Sequence, residues 1–315
     1  MEPLARLQLV TVTFAGFPYR EQVEAFADAL VKSRWLTEVA PRPIAASHFG
    51  RAVLPASSAA PLGAFLQAAN SGALPRPDDA SGLVYVAYAP LPCEDPRAAG
   101  FHSRLAQEIT STPYAWVAGC ERSLAAFTTV AAHEIAEIIT DQAAELSEGG
   151  LYFDEAQAPW TGEVADICNF SRQWVECGFT FATAWSNAAA GTDLPPCVPW
   201  PQGTRYANVS PDPAAPETVP AGSSATIRLT GWATAPGPPW RLRALPDFTA
   251  RQDFDPAPSF SGPTIDNGTT VLLTVTVPAG TSPGAQATIR VGSVTEAGNL
   301  ADARSNDWPV RIVAR

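Results

Sequence analysis

The sequence predicts an α+β domain over residues 1–205 followed by an all-β sandwich over 206–315, and three observations carry that expectation. Strand-like and helix-like periodicities alternate through the first two thirds of the chain. Beyond the linker-like Pro211-Asp212-Pro213-Ala214-Ala215-Pro216, only short alternating runs remain, separated by Pro and Gly. Within the first of these regimes, residues 131–141 set His133, Glu134, Glu137 and Asp141 among small and apolar residues with helical spacing.

Composition bounds the function. With 315 residues and 46% of them apolar, two cores of ordinary size can be buried. Charged residues make up 16%, Lys+Arg number 20 against 31 Asp+Glu, and the formal net charge is -11. A nucleic-acid partner is therefore not expected, since it needs a basic face and no Lys/Arg cluster appears. No apolar run reaches the roughly 18 residues of a membrane span. The opening Met1-Glu2-Pro3-Leu4-Ala5-Arg6 lacks the form of a signal peptide, so the protein is either intracellular or shown from a mature end. Five cysteines favour export. They read as Cys93 paired with Cys120 and Cys168 with Cys197, leaving Cys177 free. A Cys168–Cys177 pair and five reduced thiols are the competing readings.

In chain order, residues 7–14 form a β-rich alternating run that predicts a strand ending at Gly16-Phe17-Pro18. Tyr19 to Trp35 carries Val23, Phe26, Ala27, Leu30 and Val31 at helical spacing. A strand is expected near residues 52–54, and a helix over 61–70 ended by Asn70-Ser71-Gly72. Residues 82–88 are apolar on both faces, as in a central strand. A Cys93 loop leads to Phe101-His102, and residues 114–120 read as a short strand before the helix that starts near Ser123. That helix packs through Leu124, Phe127, Val130, Ala131, Ile135 and Ile138.

On this helix His133, Glu137 and Asp141 lie one turn apart on one face, and Glu134 sits beside that face. A zinc hydrolase of the HExxH type keeps its general base at the position of Glu134, but here Glu137 replaces the second His. Zinc needs at least three protein ligands plus an open position. Residues 162–168 supply two further acids, with Asp166 favoured slightly over Glu163 as third ligand and the other acid orienting a ligand. His102 is the candidate donor to a developing oxyanion, with Tyr152 behind it. Asp141 reads as a helix-end hydrogen-bonding group, and Trp185-Ser186-Asn187 as packing against the helix. His48 lies among Ala and Ser with no acidic neighbour and receives no role. Oxygen-rich ligation also suits Mn²⁺ or Ca²⁺.

His133-Glu134-Ile135-Ala136-Glu137 with Thr140-Asp141, residues 162–168, Ala184-Trp185-Ser186-Asn187 and Cys197-Val198-Pro199 together resemble a family of exported bacterial HExxE zincin-like metallopeptidase relatives. More distantly they are similar to the plant phosphate-induced (Exordium-like) proteins. The likeness spans about the first 200 residues. It implies a zincin-like fold, in which an edge strand lies beside the site and the HExxE helix packs beneath the sheet. It also implies a metal-binding domain and matches Cys93–Cys120 and Cys168–Cys197 as family-type pairs; on the reading of the residues above, His133, Glu137 and Asp166 or Glu163 hold Zn²⁺ and Glu134 is the general base.

Runs at residues 225–230, 270–277, 287–291 and 310–313 predict the sandwich strands. The phrase at 277–284 is similar to a turn of bacterial immunoglobulin-like modules, which implies an immunoglobulin-like accessory domain; attachment to a polymer such as cell-wall polysaccharide, stabilisation and simple spacing are the roles open to it. The leading functional expectation is zinc-dependent hydrolysis of peptide bonds by an exported metallopeptidase acting on protein or peptide substrates. A non-enzymatic extracellular binding protein with a structural metal is the alternative.

Overall fold

The computed structural model describes residues 4–56, 60–89, 100–105, 112–118, 123–140, 163–168, 173–186, 189, 197–200, 205, 207–212, 217–246, 252–294 and 307–315. The chain divides into two compact units. The first comprises Met1–Tyr152, Thr161–Ser186 and Cys197–Trp200, and the second is built on Pro201–Arg315. The division falls a few residues before the expected 205/206 boundary. Arg205 shows why: its guanidinium stacks over Trp240 and its Nε donates to the Ala235 carbonyl, so it belongs to the second unit.

The first unit is organised by a five-stranded sheet. Its strands are β1 (Arg6–Phe14), β2 (Ala45–Leu54), β3 (Leu83–Tyr88), β4 (Gly100–Arg104) and β5 (Pro113–Val117), in the order β2-β1-β3-β5-β4. Four strands run parallel, and only the edge strand β4 is antiparallel, against β5. Val10, Val12 and Phe14 of β1, with Tyr85 and Ala87 of β3 and Tyr114 and Trp116 of β5, share a core with Phe65 and Ala69 of helix α3 (Pro61–Asn70). Alternate strand residues point to opposite faces, so the intervening side chains meet the other layer. There stand α1 (Arg20–Leu30) and α4 (Leu124–Thr140), the latter packed on β4 and β5. Helices on both faces explain why β3 is buried at every position.

The helix expected from Tyr19 to Trp35 is two helices, α1 and α2 (Arg34–Val39). Ser33 adopts an extended backbone, and its hydroxyl accepts from the Leu36 N–H at 3.1 Å. A side chain that caps a new helix competes with continuation of the old one. Trp35 is thereby turned inward, its indole N–H donating to the Ala182 carbonyl. The strand near residues 52–54 is longer than its apolar triplet, since β2 is an edge strand with only alternate residues half-buried. Strand β4 was not expected as a strand.

After α4 come α5 (Val164–Cys168), the hairpin β6 (Trp174–Glu176) and β7 (Phe179–Phe181), and the pair β8 (Ala184–Trp185) and β9 (Cys197–Val198). A disulfide joins Cys168 to Cys197, as expected, and Cys177 is a free, exposed thiol. The expected Cys93–Cys120 pair, with Asp141 and Tyr152, lies outside the described residues. Trp185 sits in β8, which packs on α5.

The second unit is all β. One sheet has the order β10-β12-β16-β14, from β10 (Ala207–Asp212), β12 (Ser224–Ala233), β14 (Ala257–Phe260) and β16 (Thr270–Thr276). The other has the order β11-β18-β17-β13-β15, from β11 (Glu217–Val219), β13 (Trp240–Pro246), β15 (Thr264–Ile265), β17 (Gln286–Ser293) and β18 (Asp307–Ala314). Ile227, Leu229, Leu273 and Val275 from the first sheet share one apolar core with Trp240, Ile289, Val291 and Ile312 from the second. This is a sandwich, and all four strands read from alternation are in it.

Candidate metal centre

Ser123 starts α4 by accepting the Ala126 N–H at 3.1 Å. The helix is rich in Ala and Ile, and from Glu134 to Thr140 it is buried on every side. Two carboxylates, Glu134 and Glu137, are thus carried into the interior, where each needs a partner. The partner comes from β4. Antiparallel pairing sets His102 opposite Ala115 and Gly100 opposite Val117. A Cβ on Gly100 would lie 2.5 Å from Val130 Cγ1 and 2.9 Å from Glu134 Oε1, so only glycine lets the edge strand come this close to α4.

His102 Nδ1 stands 3.1 Å from Glu134 Oε2 and 3.2 Å from Glu137 Oε2. An ionised carboxylate only accepts, so Nδ1 carries the proton of that hydrogen bond. The other ring nitrogen, Nε2, stands 3.3 Å from Glu163 Oε1. One helical turn along, His133 Nε2 lies 3.1 Å from Glu137 Oε1 and 3.3 Å from Asp166 Oδ1. Glu163 immediately precedes α5 and Asp166 lies in its first turn, and α5 packs against α4 with its end tied by the Cys168–Cys197 bridge.

All six residues named from the sequence therefore meet in one cluster. The two acids of the 162–168 segment do not compete for one position: Asp166 goes to His133, and Glu163 goes to His102. His102, expected to face a substrate oxyanion, instead turns both ring nitrogens onto carboxylates. The physical reason is the enclosure of Glu134 and Glu137: His102 is the imidazole that faces both of them, while His133 faces Glu137. Gly100 was missed, because no local pattern marks a glycine that matters through a neighbouring helix. His48 was denied a role for want of an acid, yet α1 places Asp28 Oδ1 2.8 Å from its Nδ1, with Thr11 Oγ1 3.0 Å from its Nε2. Thr11 is 1% exposed, so this chain, which joins α1, β1 and β2, offers no accessible nucleophile.

The electrostatics follow from the contacts. Burial opposes a charge on His102, but hydrogen bonds to Glu134 and Glu137 and the charges of Glu137 and Glu163 outweigh it and push the pKa up to about 10. His133 is likewise held well above its ordinary value: burial opposes the charge, and Glu137 and Asp166 override it. Burial raises Glu134, and repulsion from Glu137 adds to this. Burial acts on Glu137 in the same sense, but the two imidazoles facing it win and hold it below the ordinary carboxylate range. Burial and the neighbouring Glu137 charge raise Glu163 to about 7.

Two buried atoms of the cluster, His102 Nε2 and Glu137 Oε1, make no hydrogen bond. Buried polar atoms are nearly always paired, so these two mark room for a cation. Two triads offer one ligand atom each within 4.8 Å of one another: His133, Glu137 and Asp166, and His102, Glu137 and Glu163. Ligands about 2.0–2.1 Å from a tetrahedral zinc stand roughly 3.3 Å apart, and the separations of His133 Nε2 from Glu137 Oε1 (3.1 Å) and Asp166 Oδ1 (3.3 Å), and of His102 Nε2 from Glu163 Oε1 (3.3 Å), are close to this. The residues fit a divalent ion.

No protein-family model and no curated protein matches the chain. Among solved structures it is similar to domains 4 and 5 of the S-layer protein SbsC, at 18% identity and a TM-score of 0.24, covering 34% of this chain and 44% of that one. A longer SbsC structure, residues 31–844, is matched at the same identity and TM-score over 12% of its length.

Proposed function

We propose that the first unit is a metal-dependent hydrolase of peptide bonds, zincin-like in its arrangement, and that the chain works in an oxidising, extracellular setting. The observation that supports this best is the grouping of Glu137 Oε1, a buried oxygen without a hydrogen bond, and Asp166 Oδ1 around His133 Nε2. The antiparallel edge strand beside the site and the helix packed on its sheet agree with that reading. His133, Glu137 and Asp166 would hold zinc, which when bound polarises a carbonyl and lowers the pKa of water. Glu134, its pKa raised by burial and by the Glu137 charge, takes a proton from water and passes it to the leaving amine. His102 Nδ1–H orients Glu134 through Oε2. Asp166, with its side chain 55% exposed, stands where a substrate can enter.

A second reading is favoured by one feature of Glu134. Oε2 lies under His102, and Oε1 lies 2.9 Å from where a Cβ on Gly100 would stand, so both oxygens face protein. That is the setting of a buried structural group, in a binding protein whose ion holds the fold. Zinc content and cleavage of peptide libraries, compared between wild type and Glu134→Gln, decide between the two. The hydrolase reading expects metal retained and cleavage lost by at least about a hundredfold, the size of a general-base contribution. A metal-loaded wild type inert on every peptide, yet melting earlier in chelator, establishes the structural ion instead.

A further inference from the structure

The cluster offers more ligands than one ion uses. We infer that it is a dinuclear centre, with a second divalent transition ion held by His102, Glu163 and the far oxygen of Glu137, so that Glu137 bridges two metals. The inference rests on the metal reading of His133, Glu137 and Asp166 and adds a position to it.

Three observations carry it. His102 is buried, its side chain 6% exposed, and its Nε2 has no hydrogen bond while facing Glu163 Oε1 at 3.3 Å. The hydrogen bond from Nδ1–H to Glu134 leaves the lone pair of the neutral ring on Nε2, which is how a metal-binding imidazole is set by a carboxylate behind it. Glu137, its side chain 2% exposed, divides its two oxygens: Oε1 is 3.1 Å from His133 Nε2 and Oε2 is 3.2 Å from His102 Nδ1. Glu137 is also the residue shared by the two triads whose ligand atoms lie within 4.8 Å of one another, and a carboxylate shared in this way can bridge the roughly 3.5–4 Å between ions of a two-metal site.

Charge points the same way. Glu134, Glu137, Glu163 and Asp166 bring four carboxylates to two imidazoles. One divalent ion leaves two negative charges at a cluster that includes the two buried carboxylates Glu134 and Glu137, and two ions leave none, with each ion keeping three protein ligands and an open side for water. The mixture of imidazole nitrogen and carboxylate oxygen suits Zn²⁺ and Mn²⁺.

The test uses the full chain stripped with chelator and dialysed against Zn²⁺ or Mn²⁺. Two ions per chain are expected. Glu163→Gln and Asp166→Asn should each retain one ion, and Glu137→Gln should bind neither tightly. Glu163 is a third exposed, so its variant costs the fold least, and circular dichroism confirms that each variant is folded. The Mn²⁺-loaded wild type should show an exchange-coupled paramagnetic resonance spectrum, which Glu163→Gln converts to the sharp pattern of an isolated ion. One ion in wild type, unchanged by Glu163→Gln, overturns the second position and leaves the single-ion reading standing. No bound ion overturns both. Two ions without coupling, two that survive Glu163→Gln, or loss of both in that variant, also overturn the bridged centre.

Discussion

Glu137 faces two imidazoles and Glu134 one, and this asymmetry decides how the metal-free cluster responds to pH. His102 has its folded pKa raised from 6.5 to about 10, so its contribution to stability is fully present below about 6.5 and is lost as pH rises through about 10. His133 acts in the same sense. Glu163, raised from 4.5 to about 7, adds stability that is complete below about 4.5 and gone above about 7. Only Glu137, held low by the imidazoles, contributes in the opposite sense, and that stability is lost in acid. Chelator-treated protein should therefore melt progressively earlier from about pH 5 to pH 9, whereas most proteins are most stable somewhere between pH 5 and 8. Metal ligation requires neutral imidazoles, so zinc binding at pH 7 should release protons and its affinity should climb over the same interval. Calorimetric titration in buffers of different ionisation enthalpy counts those protons. A binding heat independent of buffer would show that the imidazoles are already neutral.

At the scale of elements, the approach of β4 to α4 builds the site, and Gly100 sets its closeness. Gly100→Ala would place a methyl 2.5 Å from Val130 Cγ1 and 3.0 Å from the Trp116 carbonyl oxygen, neither of them the end of a long flexible side chain. Overpacking of this kind costs about 1–3 kcal/mol. For a unit of this size the midpoint falls by about 2–4 °C per kcal/mol. The same shift moves His102 off Glu134, so metal affinity should drop with stability; an unchanged melting curve and unchanged zinc affinity would refute the role given to this contact. The contact also marks how far the sequence can be read. Strand β3 and helix α3 were legible because apolar runs and end signals are local. The i, i+4 pair of His133 and Glu137 was legible because helical geometry fixes it. The break at Ser33 was not, since a cap and a mid-helix serine look alike in a helical pattern. That Glu163 goes to His102 and Asp166 to His133 was not legible either, because it depends on an edge strand about 60 residues upstream of those acids and on the absence of a Cβ there.

On the scale of the molecule, the two units keep separate cores, and the Cys168–Cys197 bridge lies wholly in the first. The bridge closes a separation of 29 residues and joins α5, which carries Asp166, to β9. Closing a loop of that length stabilises by about 3–4 kcal/mol, mainly by restricting the unfolded chain. Reduction, or Cys168→Ser with Cys197→Ser, should lower the first unit's transition by roughly 6–16 °C at about 2–4 °C per kcal/mol. The sandwich, with no cysteine of its own among the described residues, should melt where it did before. Freeing the end of α5 also loosens the acid that completes the His133 triad, so zinc affinity should fall in the reduced protein even well below its melting temperature. Differential scanning calorimetry with and without reductant, in zinc and in chelator, separates the two effects. If both transitions move together on reduction, the units do not unfold independently. If the first moves while zinc binding holds, the bridge supports the fold but does not place Asp166.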